Sequence, residues 1–160
     1  MTAAHPSPRS ALTLQPRYAD TDAMGVVYYA NYFVYFEVAR TTALAELGHP
    51  YWDMEKQGIL IPVLRAHCEY HGPARYGDTL VVHSVRSRTG RARIRFDYSL
   101  HRRDAATGAE SPALATGYTE HAFVNPAGKP LRPPAGIMTL FPDAPAGAGS
   151  ADEAVDPSPA

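Results

Sequence analysis

From Arg91 to Leu100 apolar and polar side chains alternate, with Ala92, Ile94, Phe96, Tyr98 and Leu100 on one side and Arg91, Arg93, Arg95, Asp97 and Ser99 on the other. A period of two predicts a half-buried antiparallel strand with one wet face. Gly90 punctuates its start, and Thr79–Ser87 before it reads as the partner strand of a hairpin. Leu60–Tyr70 and Ala113–Val124 are two further strand-like runs, bounded by Gly58, Gly72–Pro73 and Asn125–Pro126. Leu12–Tyr18 is expected to be a short first strand. One segment follows the helical period instead. From Tyr29 onward Tyr32, Phe33, Phe36, Ala39, Ala43, Leu44 and Leu47 recur at helical spacing, and Gly48 stands where a C-terminal cap belongs. Only Glu37, Arg40 and Glu46 interrupt it with charge, so this helix is expected to be buried over much of its circumference. The predicted order is strand, long helix, four strands: an α+β domain with one helix across an antiparallel sheet of about five strands.

At 160 residues the chain has the length of one domain. Residues 1–11 and 135–160 read as tails, rich in Pro, Ala, Gly and Ser and too poor in apolar groups to offset their own ordering entropy. The folded domain is expected over 12–134, although the apolar cluster Ile137–Phe141 is a candidate to pack onto it. A formal charge of −1 gives no reason to expect nucleic acid or an anionic membrane as partner. Asp143, Asp152, Glu153 and Asp156 all follow the last basic residue, Arg132, which leaves the preceding chain mildly basic and suited to a phosphate-bearing ligand. Cys68 is the only cysteine, so no internal disulfide is possible. With no apolar signal segment and no membrane-length run, a cytoplasmic location is expected.

The unusual chemistry lies in Arg17–Tyr32. Asp20 and Asp22 share a short loop with Gly25, and the loop leads directly into the long helix. A carboxylate is thereby set beside unpaired helix N–H groups, which can polarise a carbonyl and hold an oxyanion while the acid acts on water or on the carbonyl carbon. The bland reading is that both acids are turn or capping residues.

Tyr18, Asp20-Thr21-Asp22, Gly25-Val26-Val27-Tyr28, Ala30-Asn31-Tyr32 and Glu37-x-x-Arg40 resemble the hot-dog-fold acyl-CoA thioesterases. So do Pro73-Ala74-x-x-Gly77-Asp78 and Gly117-x-Thr119-x-His121-Ala122-Phe123-Val124. The resemblance is specifically to the 4-hydroxybenzoyl-CoA thioesterase-like branch that includes the Tol–Pal-associated enzymes. It implies a hot-dog fold and hydrolysis of an acyl-CoA, CoA being part of the substrate and no cofactor being required. It makes Asp22 the catalytic acid, as general base or nucleophile, with backbone N–H near Tyr29 binding the thioester oxygen. Tyr29 stands where some members carry histidine, so Tyr29 and Tyr18 would assist only by hydrogen bonding. Gly25, Val27, Tyr28 and Tyr32 would shape the substrate site. Asp20 is expected to stabilise the loop. The resemblance also implies a homodimer or homotetramer with sites at the subunit interface.

Arg86, Arg88 and Arg91, around the Ser87–Gly90 turn, are candidates to grip the CoA phosphates, against the reading of a solvated hairpin end. The Asp20-x-Asp22-x-x-Gly25 spacing fails as a calcium loop, because Met24 and Asn31 stand where oxygen ligands are needed. His67 and His71 flank Cys68, but on a strand Cys68 faces away from both, so no metal ligands are assigned. No serine-hydrolase elbow is present. The rival function is a hot-dog protein that binds acyl groups without hydrolysing them, or a dehydratase-like member; an interaction module acting through the tails is a more distant one.

Overall fold

The computed structural model describes residues 8–144, so the expectation of unstructured ends over 1–7 and 145–160 lies outside the described residues. Five strands form one antiparallel sheet: β1 (Arg9–Leu14), β2 (Val63–Tyr70), β3 (Thr79–Arg88), β4 (Arg93–Arg103) and β5 (Ala115–Ala122). Their spatial order is β1-β3-β4-β5-β2. The long helix α1 (Asn31–Glu46) lies across one face, followed by a short α2 (Tyr51–Lys56); a one-turn α3 (Ala135–Met138) follows the last strand. This is the hot-dog arrangement.

The period-2 pattern sorts the two faces. Ile94, Phe96, Tyr98 and Leu100 of β4 and Leu80 and Val82 of β3 are buried under α1. The opposite face is polar: Arg95 lies over the Tyr118 ring at 3.7 Å and pairs with Asp97 at 2.8 Å and Glu120 at 3.3 Å. The helix crosses where β5 offers no side chain. Phe36 stacks on Tyr98 with ring centroids 4.4 Å apart, and a Cβ at Gly117 would meet the Phe36 ring at 2.9 Å. Gly117 is thus the notch that lets the helix approach the sheet. At the other end of α1, Gly48 takes a φ of 83° and the His49 N–H returns to the Leu44 carbonyl at 2.9 Å, closing the helix.

The structure moves several boundaries. β1 begins at Arg9 rather than Leu12, because Arg9 to Leu14 pairs along β3 from Val85 to Leu80. It stops before Pro16, and Tyr18 belongs to a 3-10 turn over Tyr18–Asp20. The domain does not end at 134. Ile137, Leu140 and Phe141 are buried, with Phe141 edge-on to Phe96 at 5.8 Å and to Phe123 at 6.3 Å. Backbone bonds from Arg88 N–H to Pro142 O (2.7 Å) and from Ala144 N–H to Arg88 O (3.0 Å) extend the fold through 144. No helix among the described residues is long and apolar enough to cross a membrane.

A buried polar cluster sits beneath the second half of α1. His121 is fully buried, with Nε2 2.8 Å from Thr119 Oγ1, and Thr119 Oγ1 is 2.9 Å from Tyr98 Oη. Burial, reinforced by the nearby Arg40 charge, pushes His121 down to about 4 from an ordinary 6.5. The unfolded chain therefore takes up a proton near pH 6.5 that the folded chain refuses until about pH 4. His121 contributes no pH-linked penalty above pH 6.5, and stability falls as pH drops from 6.5 toward 4, by up to about 3 kcal/mol. Urea unfolding of wild type and His121→Gln across this range is expected to show a steeper loss for wild type; parallel curves would contradict it.

Candidate active site

Asp20 fastens the loop between β1 and α1. Its buried carboxylate accepts bonds from Arg17 N (2.9 Å), Arg17 Nε (3.0 Å), Arg17 Nη2 (2.8 Å) and Tyr35 Oη (2.9 Å). Burial pushes this carboxyl up, but the bonds from Arg17 and Tyr35 outweigh it and hold it below the usual carboxylate range. Its backbone carbonyl accepts from Tyr28 N (2.8 Å) and Asn31 Nδ2 (2.8 Å), which draws the loop's end, and with it the start of α1, onto one residue. Val27 N–H to Ala74 O (2.8 Å) anchors the same loop from the other side.

Asp22 is only half-buried. Its backbone pairs with Val26 and Gly25 at 2.9 Å, and its Oδ1 accepts one bond, from Met24 N–H at 2.8 Å. Gly25 turns the chain back at a φ of 72° with open space around its Cα, so only its backbone conformation requires glycine. The Tyr28 hydroxyl is held above its ordinary value first by its hydrogen bond with Tyr29 and by that group's charge, then by burial and by the charge of Asp22.

Three carbonyls at the helix entrance are taken up by the first turn: Tyr28 O by Asn31 N (2.9 Å), Tyr29 O by Tyr32 N (3.3 Å) and Ala30 O by Phe33 N (3.2 Å). Among the described residues, no hydrogen bond takes the backbone N–H of Tyr29 or Ala30. In a trans peptide the N–H points opposite to the preceding carbonyl, so both N–H groups face out past the helix start. No side chain caps this end. A half-exposed carboxylate and unclaimed helix-start donors therefore belong to one short segment, the arrangement needed to bind and attack a carbonyl.

The structure sorts the expected site residues. Asp22, Gly25, Tyr28 and Tyr29 all lie in the segment that leads into α1, the two tyrosines exposed with rings 4.6 Å apart. Val27 and Tyr32, expected to touch substrate, are instead buried behind the site, Val27 facing the core and Tyr32 Oη accepting from Ala74 N–H at 3.2 Å. Tyr18 is exposed and packs edge-on to Tyr76 at 5.7 Å. Arg86 is no phosphate ligand. It lies on the inner face of β3, buried, with Nε donating to Leu140 O at 2.6 Å.

Arg88 and Arg91 do line an open cavity of about 1130 Å³, walled by Met138, Phe141 and Pro142 and joined by Arg132, which sequence reasoning had not singled out. Arg88 is paired there with Asp143 at 2.6 Å. This cavity and the Asp22 loop are at opposite ends of β3, about 30 Å apart at the usual rise per residue. His67 stacks on Tyr118 and His71 meets Thr116 Oγ1 at 2.9 Å, while burial pushes the Cys68 thiol up, away from reactive thiolate.

β2 lies at one edge of the sheet and is exposed almost throughout, with Val63, Leu64 and Tyr70 about half uncovered; Val34 and Val38 of α1 are similarly exposed.

A five-stranded antiparallel sheet around one helix, with an acid at the helix entrance, defines the hot-dog thioesterase class. Residues 16–141 match the family described as the Thioesterase-like superfamily, and the chain belongs to it. It is 51% identical over 71 residues to the "Putative acyl-CoA thioesterase YneP" of Bacillus subtilis, a match covering 44% of this chain and 51% of that one. The DHNA-CoA thioesterase of Staphylococcus aureus is 34% identical, with a TM-score of 0.69 over 78% of this chain and 80% of its own. A hypothetical protein of Aquifex aeolicus is 31% identical, with a TM-score of 0.74 over 82% of this chain and 98% of its own.

Asp20→Asn removes the charge that holds Arg17 and leaves at least one donor without its acceptor. Denaturant unfolding is expected to show a loss of about 2 kcal/mol. A variant as stable as wild type would mean that the loop does not depend on this carboxylate.

Proposed function

We propose that this chain hydrolyses acyl-CoA thioesters to the free acid and CoA. The observation that carries the reading is the half-exposed carboxylate of Asp22 in the segment whose helix-start N–H groups, those of Tyr29 and Ala30, are unclaimed. In the general-base form, Asp22 takes a proton from water as its oxygen attacks the thioester carbon. The carbonyl oxygen becomes an oxyanion held by the helix-start N–H groups. Collapse of the tetrahedral intermediate expels the CoA thiolate, which recovers the proton from Asp22. In the nucleophilic form, Asp22 attacks the carbon itself, and the C–S bond breaks and expels the CoA thiolate. Water then cleaves the mixed anhydride to the free acid, restoring the Asp22 carboxylate while the released proton goes to the thiolate. Membership of the thioesterase-like superfamily and relatives named for CoA-ester hydrolysis support the reading.

The protein acts as a homodimer in this account. The uncovered β2 edge, with Val63, Leu64 and Tyr70, is suited to pairing with a second copy, which would remove an open sheet edge from each. An antiparallel β2–β2 contact sets the Tyr70 end of one strand against the Val63 end of the other. The Arg88, Arg91 and Arg132 cavity then serves a CoA whose thioester is bound at Asp22 of the partner subunit, since within one chain the two lie at opposite ends of the sheet. The exposed Tyr28 and Tyr29 suit an aryl or a short-to-medium aliphatic acyl group.

Asp22→Asn is expected to fold normally and to lose thioester turnover by at least about a hundredfold, measured by free-thiol release across a panel of acyl-CoA esters. Near wild-type hydrolysis by the folded variant would refute the assignment. Light scattering alongside an activity dilution series is expected to show activity lost as the dimer dissociates; a fully active monomer would contradict the shared site.

A further inference from the structure

Tyr70 is the last residue of β2, far in sequence from the Asp22 loop, yet its hydroxyl donates to the Tyr29 carbonyl at 3.0 Å. Its ring packs edge-on to Tyr32 with centroids 5.1 Å apart and to Tyr29 at 6.4 Å. The rest of the loop is bonded elsewhere. Asp20 O holds Tyr28 N–H and Asn31, and Ala74 O holds Val27 N–H. Among the described residues, the Tyr29–Ala30 peptide has one hydrogen bond from outside the loop and α1, and Tyr70 supplies it.

The other bond to the Tyr29 carbonyl, from Tyr32 N–H, is long at 3.3 Å, so the first turn of α1 alone holds this peptide weakly. Turning that carbonyl would turn the Ala30 N–H with it, because the two are opposite ends of one planar trans unit. It would also alter the backbone of Tyr29, whose own N–H is the neighbouring donor. Burial pushes the Tyr70 hydroxyl above its ordinary value, followed by its bond with Cys68, so it stays a proton-bearing donor through the neutral range.

We infer that Tyr70 is a positioning residue for thioester hydrolysis: its hydroxyl pins the Tyr29 carbonyl and so aims the helix-start N–H groups at the developing oxyanion. The inference rests on the proposed thioesterase reading. Tyr70 touches no reacting atom and acts through the Tyr29–Ala30 peptide. Donors aimed before the reaction starts stabilise the transition state more than the bound ground state, so loss of the pin falls on kcat rather than on KM.

Tyr70→Phe keeps the ring against Tyr29 and Tyr32 and removes only the hydroxyl. The full-length variant is expected to match wild type in melting temperature and oligomeric state, to keep KM within about twofold, and to lose kcat by on the order of tenfold. In the ligand-free protein, the amide resonance of Ala30 is expected to move, since it shares the peptide whose carbonyl has lost a donor. An unchanged kcat overturns the inference whatever the resonance does. Should wild type hydrolyse none of the CoA esters tested, the thioesterase reading falls. The resonance then decides separately whether Tyr70 sets the peptide, and an unmoved Ala30 signal refutes that too.

Discussion

The buried carboxylate of Asp20 is the constraint on which the site depends. Four donors converge on it from Arg17 and Tyr35, and its backbone carbonyl gathers Tyr28 and Asn31. A carboxylate taken out of water is tolerated only when its oxygens are satisfied in this way. In return it fixes the strand exit, the loop and the helix entrance to a single residue. Asp22, two residues on, receives one backbone bond and remains half-exposed. The same residue type therefore stands in two environments in one loop: one acid organises structure, and the other is the one proposed for chemistry.

The sheet carries this division further. Its inner face receives α1, where Gly117 lets Phe36 and Tyr98 stack flat against each other. Its outer face carries the Arg95, Asp97 and Glu120 charges beside the Tyr118 ring. Its two ends differ as well, with the Asp22 loop near the start of β3 and the arginine cavity at its far end. In the proposed dimer, joining two sheets through the uncovered β2 would offer a CoA ester both a carbonyl site and a phosphate site. Catalysis and assembly would then be one geometric problem, with Tyr70 on the strand where the two meet.

Much of this was legible in the sequence because it is periodic or local. The alternation of Ile94, Phe96, Tyr98 and Leu100 announced β4, and the aromatic run after Tyr29 announced the buried helix. Asp20, Asp22 and Gly25 formed a readable loop because they stand close together along the chain. Arg86 was misread although the signal was present: it continues the inward series Leu80, Val82 and Ser84, and strand alternation alone places it inside. The burial of Val27 and Tyr32 turned on which way a loop and a helix face, which the motif does not encode. The Pro, Ala and Gly content of 135–144 argued for a tail, while its apolar cluster Ile137–Phe141 pointed the other way, and it is that cluster, through Ile137, Leu140 and Phe141, that ties the segment down. The Tyr70 bond to Tyr29 and the grouping of Arg132 with Arg88 were illegible because they depend on strand order, and no local pattern carries that information.

The claim that the helix start polarises the substrate carbonyl is tested most directly by infrared spectroscopy of a carbonyl-13C acyl-CoA bound to Asp22→Asn, in which hydrolysis is slowed enough to observe the complex. The bound thioester carbonyl is expected to stretch at lower frequency than in the same ester free in water, because fixed N–H donors at the helix entrance draw charge onto the oxygen. A bound ester whose carbonyl stretch equals or exceeds its value in water would contradict it.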